Sequence, residues 1–410
     1  MEPSLIAGSA SWAALHRSVV SGDAGCGAWM GRIRDWSQPI PCGGQVITLL
    51  DRADLPPLRP TRDPRDYVSW GTYFWLNPAT PDGLPLIHRD GEASPEVLRY
   101  DRPITERAFT EMIWLACRAY LREDEHALDR LETVLDAWFV DERTAMRPHL
   151  QHAQIVPGTE EAHGRPVGTI DFNYHIPRLL EVLCLVWLRL SVSCREGVTA
   201  WFRAFLTWLV EGDYAGWLKR PERNNIGTYY DILVGTIAIH FGRREIATRR
   251  LERFVEDRVL NQVEPDGSMP AELRRTLSLS YCMMNLVGLL QASMLCKRVG
   301  IDVLLPATES GARLRRAIGS VLPASLGDEA WPHQQIQPVP AGAAVLLASL
   351  AERCVGHRGV VERAAAVAGR PVFPGIHAAG LIPLNYSLIG AWRGPSDARK
   401  PAPLSGASCP

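Results

Sequence analysis

Arg223-Asn224-Asn225-Ile226-Gly227-Thr228-Tyr229-Tyr230-Asp231 sets two adjacent carboxamides in a glycine-containing stretch. The stretch runs into an apolar segment, Ile232-Leu233-Val234 and then Thr236 to Ile239. Thr228 and Asp231 have the spacing of a capping box, with a short Asp in place of the usual Glu or Gln. That spacing predicts a helix from about residue 228, with Asn224 to Gly227 just ahead of it. Free N–H groups and the positive end of the helix dipole favour an anion there. Two amides beside that end are suited to hydrogen-bond a substrate carboxylate. The same residues equally describe an ordinary capped helix behind an Asn-Gly turn, and the strip alone leaves both readings open.

A second constellation is Glu272-Leu273-Arg274-Arg275-Thr276 followed by Tyr281. It lies between a Pro265-Asp266-Gly267 turn and a long apolar helix carrying Leu286, Leu289, Leu290 and Met294. A phenol ordinarily titrates near pH 10, roughly three units above neutrality. A neighbouring guanidinium favours the phenolate and brings it closer to working pH, where it can move protons. A tyrosine packed at a helix start, with solvated arginines, is the plainer alternative.

These strips sit in a chain that is mostly helical by pattern. Residues 8–35 read as helix, and 36–103 as irregular, with an aromatic cluster at Trp70, Tyr73, Phe74 and Trp75. From residue 104 the helical period takes over. Phe109, Met112, Ile113, Ala116 and Tyr120 form one stripe, and Leu128, Leu131, Leu135 and Trp138 the next. Residues 141–176 are a second polar loop holding His149, His152, His163 and His175. Further helices are predicted at 178–193, 197–211, 228–241, 243–262, 278–299, 308–321, 339–354 and 358–369. Paired helices with short links describe an all-α chain, a helical bundle or an α/α toroid. The long loops would gather at one end as a cleft, and an aromatic loop there is either a binding wall or a packed lid. Residues 1–393 read as a single domain and the Pro-rich tail 394–410 as disordered.

The 410 residues are 46% apolar, ample for a large core. A net charge of −1 provides no bulk field to draw the chain to nucleic acid or to an anionic membrane. Lysine is scarce, 3 against 41 arginines. Nine scattered cysteines without a CxxC pair argue against a disulfide framework or a structural zinc site. The start of the chain does not read as a signal peptide, and no run reaches the roughly 18 apolar residues of a membrane span. The expectation is a cytoplasmic protein. Nothing among the histidines has HExxH or comparable spacing, so neither a metal nor a cofactor is expected, and oligomeric state is not legible.

Over roughly residues 62–345 the order of motifs resembles the alginate lyase family of polysaccharide lyases. The aromatic segment Asp66 to Trp75 resembles its N-terminal segment, as do Pro81-Asp82-Gly83-Leu84-Pro85 and Arg89-Asp90-Gly91. Arg147-Pro148-His149-Leu150 with Gln154 is similar to an Asn-Pro-His-Leu segment, and Gly168-Thr169-Ile170-Asp171 to a Gly-Ile-Ile-Asp segment. Glu272-Leu273, Arg275-Thr276 and Tyr281 match the family spacing, and Trp331-Pro332-His333-Gln334-Gln335-Ile336 resembles a late segment. The family strip reads Asn-Asn-His-Gly-Thr, and this chain has Ile226 at the position of its catalytic histidine.

The resemblance implies an α/α toroid, an incomplete α/α barrel, that cleaves a uronic acid polymer by β-elimination. Tyr281 is then the base and acid. Asn225, with Asn224 and the helix end, and Arg275 would neutralise the carboxylate, which must accept further charge in the transition state. Candidate substrate-binding residues are Asn224, Tyr229, Tyr73, Trp75, His149, His152, Gln154 and Tyr174. Ile226 takes no proton, which leaves three readings. Tyr281 works alone with syn geometry, or His149, His152 or His175 stands in, or the cleft is repurposed. A repurposed cleft would carry out elimination or proton transfer on a small biosynthetic acid, or bind sugar without turnover.

Overall fold

The computed structural model describes residues 1, 5–22, 45–52, 56, 58–173, 175–221, 224–339, 341–357 and 359–368. The expected tail at 394–410, the second half of the helix expected over 8–35, Tyr174 and Arg223 lie outside these residues.

Two kinds of helix alternate along the chain, and burial distinguishes them. After α1 (Ser9–Val20) come α2 (Arg102–Leu121), α3 (Glu125–Phe139), α4 (His175–Val186), α5 (Val192–Glu211) and α6 (Asn225–His240). They are followed by α7 (Arg244–Leu251), α8 (Ser278–Arg298), α9 (Glu309–Leu326), α10 (Ala341–Val355) and α11 (Val360–Ala368). In α3 the buried positions are Ala127, Leu128, Leu131, Val134, Leu135, Trp138 and Phe139, the stripe of a helix with one face on the core. In α6 every residue but Ile226 is buried, as expected of a helix surrounded by others. The inner helices α2, α4, α6, α8 and α10 pack each on the next, and α3, α5, α7, α9 and α11 back them from outside.

Neighbouring inner helices run parallel. The Phe109 and His175 rings lie 5.4 Å apart near the starts of α2 and α4. Arg189, just past α4, reaches the Ala119 carbonyl near the end of α2. Thr228 meets Asn285 near the starts of α6 and α8, and a Cβ on Gly235 would touch Leu295 further down. Between these pairs, Pro177 and Glu181 of α4 line one cavity with Ile232 and Thr236 of α6, so the helix starts that carry His175, Asn225 and Tyr281 share one rim. At that rim strand β1 (Val68–Trp70) pairs in parallel with β4 (His152–Ile155), tying the two long loops together. Strands β2 (Phe74–Trp75) and β3 (Ile87–His88) form an antiparallel pair beside them.

α8 is the one helix among the described residues long and apolar enough to cross a membrane, which the run-length reading of the sequence missed. It is buried as a core helix, and its polar Ser280, Asn285 and Ser293 are buried with it. Farther from the rim, Glu181 of α4 accepts three consecutive backbone N–H groups, from Leu5 at 2.9 Å, Ile6 at 3.1 Å and Ala7 at 2.8 Å.

Asp231 does not cap α6. Its carboxylate accepts from Arg250 Nε at 2.6 Å and Arg258 Nε at 2.9 Å. Arg258 also donates to the Arg220 and Leu218 carbonyls. Position 227 has to be glycine because that guanidinium lies against it, and a Cβ would sit 2.5 Å from Arg258 Nη1. Asp231 and Arg258 are both inaccessible to water. Asp231→Ala is therefore expected to cost about 3–5 kcal/mol of stability in urea unfolding, because it strands a buried cation. A cost below about 1 kcal/mol would mean that the carbonyls satisfy the guanidinium unaided.

Candidate active site

Helix α6 begins at Asn225, three residues earlier than the Thr228–Asp231 spacing predicts. Asn224 is extended (φ −151°, ψ 174°), and its side-chain oxygen accepts the Ile226 N–H at 3.0 Å, which makes it the N-cap. Thr228 is drawn into the core instead, its hydroxyl between Gln262 Oε1 at 2.9 Å and Asn285 Oδ1 at 3.0 Å.

The anion expected at this helix start is supplied by the protein itself. Glu272 Oε1 accepts the Asn225 backbone N–H at 2.8 Å, and both Glu272 oxygens lie 3.0 Å from Asn225 Nδ2. Both carboxamides expected to meet a substrate therefore already have partners within the protein. The Asn224 oxygen serves the cap, and the Asn225 NH2 group faces Glu272. Glu272 is 1% exposed. Burial pushes its carboxyl up to about 7, although the Asn225 side chain and N–H, then Arg275 and Arg274, favour the ionised form.

Tyr281 lies in the first turn of α8. Its hydroxyl is 2.6 Å from the Tyr73 hydroxyl and accepts from Arg275 Nη2 at 2.7 Å. The Arg275 guanidinium also covers the Tyr281 ring, 3.7 Å from its centre. Asp90 holds Arg275 from the other side, accepting from Nε at 2.9 Å and from Nη2, and accepts the Thr276 N–H at 2.9 Å. This close approach requires glycine at 91, where φ is +80° and a Cβ would fall 2.4 Å from Thr276 Oγ1. The late segment caps α8. Gln335 Oε1 accepts from the N–H groups of Leu279 and Ser280, and Trp331 Nε1 donates to the Ser278 hydroxyl at 2.8 Å.

The electrostatics of the phenol reverse the expectation. Burial, and then the neighbouring Tyr73, push Tyr281 well above 10, and Arg275 only partly opposes them. Tyr73 is also raised, chiefly by burial. Burial would raise Asp90 too, but Arg275 and the Thr276 N–H outweigh it and hold the carboxyl below its ordinary value. The resting site therefore holds two protonated phenols, with a guanidinium and a carboxylate behind them.

Other expected residues take different places. Tyr73 joins Tyr281, as described. Trp75 donates its ring N–H to the Glu92 carbonyl and lies under Arg89, 4.5 Å from the ring centre. The Tyr229 hydroxyl points into the core and donates to the Met284 carbonyl at 2.9 Å, which takes it away from the substrate role expected for it. Gln154 is likewise withdrawn, since its amide bridges Asp171 at 2.8 Å and Arg165 at 2.9 Å below the surface. His149 pairs with Asp66 at 3.2 Å, and His152 faces the same carboxylate at 3.8 Å and the His163 carbonyl at 2.8 Å. Burial lowers His152 and takes His175 down to about 3, helped there by Arg178 and Arg102, so His175 stays neutral. Among the described residues, the hydrogen bonds of these histidines do not lead to Tyr281 or Asn225. Ile226 is half-buried and packs on the main core. Asp90 and the pairing of Glu272 with Asn225 were missed as functional features, although both residues stand in the matched motifs.

Residues 53–331 match the family described as alginate lyase. The fold is similar to the crystal structure of an alginate lyase from Bacteroides ovatus. That match has a TM-score of 0.82 and 26% identity, and covers 92% of this chain and 98% of that one. Alginate lyase A1-III from Sphingomonas species A1 matches at a TM-score of 0.49 and 14% identity, over 81% of this chain and 88% of that one. No curated protein matches the chain.

Proposed function

This chain belongs to the alginate lyase family, and we propose that it opens a uronate-containing chain by β-elimination, with Tyr281 as the group that takes and returns the proton. The observation that carries this reading is the position of the Tyr281 hydroxyl between Arg275 and Tyr73, at 2.7 and 2.6 Å. When Tyr281 loses its proton, both neighbours can donate to the phenolate.

The phenolate removes the hydrogen on the carbon next to the C6 carboxylate. The electrons of that C–H bond form the new double bond, the C4–O bond breaks, and the departing oxygen receives the proton from Tyr281. One residue acting twice requires hydrogen and leaving group on the same face, a syn elimination. Ile226 offers no base on the other face. Asn225 and Arg275 are the groups proposed to carry the extra charge on the carboxylate. Asp90 shares the charge of Arg275, and Tyr281 begins protonated, so the first proton transfer is costly and a slow enzyme is expected.

The test is an ultraviolet assay of the purified protein on a panel of uronate polymers, oligomers and dimers, following the conjugated double bond that elimination creates. Turnover on at least one of them is expected, and silence across the panel overturns the proposal. A second reading, a repurposed enzyme for a small acid, draws on the cover that Tyr73 places over Tyr281, which is only 3% exposed. Faster turnover of dimers than of polymers would favour it.

A further inference from the structure

Glu272 is a buried carboxylate that contacts the proposed carboxylate-binding amide and nothing of the phenol. Its Oε1 faces the Asn225 backbone N–H, which can only donate, so that oxygen is always an acceptor. The Asn225 Nδ2 lies 3.0 Å from both oxygens, and Oε2, which has no backbone N–H against it, is the one that can carry a proton. An ionised Glu272 has no proton to give and must be met by the NH2 group. The amide then turns its oxygen, an acceptor, to the opposite side. A substrate carboxylate also has only acceptors, and it would meet both that oxygen and the negative charge behind it.

We propose that Glu272 is a positioning residue whose proton decides which end of the Asn225 amide faces the substrate. Protonated on Oε2, it donates to the amide oxygen, turns the amide over and frees the NH2 group for the substrate carboxylate. Binding of a uronate at this point therefore takes up a proton wherever Glu272 starts out ionised. This rests on the reading of Asn225 as a contact of the substrate carboxylate. The charged and titratable groups acting on Glu272 are Arg274 and Arg275 of its own segment, and Cys282 of α8 feels its charge in turn. Asn225 of α6 supplies the hydrogen bonds. Burial sets the carboxyl at about 7, so both forms are populated near neutrality.

The pH profile of kcat/KM tests this in the wild-type protein. Turnover needs the Tyr281 phenolate, whose population rises tenfold per pH unit below its raised pKa. It also needs protonated Glu272, whose population falls tenfold per unit above about 7. The two trends cancel between these values. Wild-type kcat/KM should rise about tenfold per unit up to about pH 7 and then stay flat. Glu272→Gln keeps the acceptor for the backbone N–H and donates permanently to the amide oxygen. Its kcat/KM should go on rising through pH 8 and 9, overtaking the wild type by about tenfold per unit. A wild-type profile that keeps rising, or a Glu272→Gln profile with the same break, overturns the proposal.

A second measurement needs no turnover. Infrared difference spectra of the ligand-free protein should contain protonated-carboxyl band intensity that titrates near pH 7 and is lost in Glu272→Gln, beyond that of Glu106, which burial also raises to about 7. Turnover without that band removes Glu272 from the scheme. The band without turnover on any uronate upholds the titrating proton and sinks the lyase reading instead.

Discussion

Tyr281→Phe should lower kcat/KM by about 10³- to 10⁴-fold, near the top of the range for general acid–base catalysis, because one oxygen performs both proton transfers. The substitution removes only that oxygen. Arg275 keeps its hold on Asp90, Thr276 keeps its N–H on the same carboxylate, and the cap from Gln335 and Trp331 on α8 is untouched. The groups left in want are the Tyr73 hydroxyl and the Arg275 N–H that had donated to the lost oxygen, together a cost of about 1–3 kcal/mol in stability. The assay is the appearance of the conjugated double bond, run beside a thermal melt. Activity within about tenfold of wild type in a folded variant would take Tyr281 out of the chemistry. The slow step should then be sought at another group.

Asn225→Ala should reduce kcat by about 10²- to 10³-fold, the usual loss when one donor to a developing anion is removed. The effect belongs in kcat because charge on the carboxylate grows only as the C–H bond breaks. Removing the amide also strips Glu272 of its side-chain partner and leaves it the backbone N–H alone. The carboxyl should then move above the value near 7 and stay protonated over a wider range. Steady-state kinetics separate the two roles. A rise in KM with kcat unchanged would make Asn225 a recognition residue and nothing more.

The sequence conveyed the helical scaffold because buried stripes repeat with the helix period: α3 carries the whole expected stripe, and α8 lies within one residue of its expected bounds. The start of α6 was placed three residues late for a specific reason. Asn224 and Thr228 are both good N-caps by type, and the choice between them is made in three dimensions, where Gln262 and Asn285 take the Thr228 hydroxyl. Asp231 was misread in the same way, since its partners Arg250 and Arg258 are 19 and 27 residues away. Arg275 and Tyr281 were legible as a pair because they are six residues apart. The contacts that give the pair its character are not local. Tyr73 is 208 residues from Tyr281, and Asp90 is 185 from Arg275. Without Tyr73 and the burial around the phenol, the guanidinium alone implied a lowered pKa, and the sign came out reversed. Glu272 and Asn225 are 47 residues apart and were read as two separate motifs.

The seating of Leu5, Ile6 and Ala7 on Glu181 has a consequence for how the molecule is made. These residues leave the ribosome ahead of their partner, which lies 174 to 176 positions later. At roughly 5–20 residues per second, the leading segment waits about 10–35 s before α4 is available. A stretch made before α4 therefore docks after it, because α4 must already be formed to receive it. Birth order and assembly order run in opposite directions at this end of the ring.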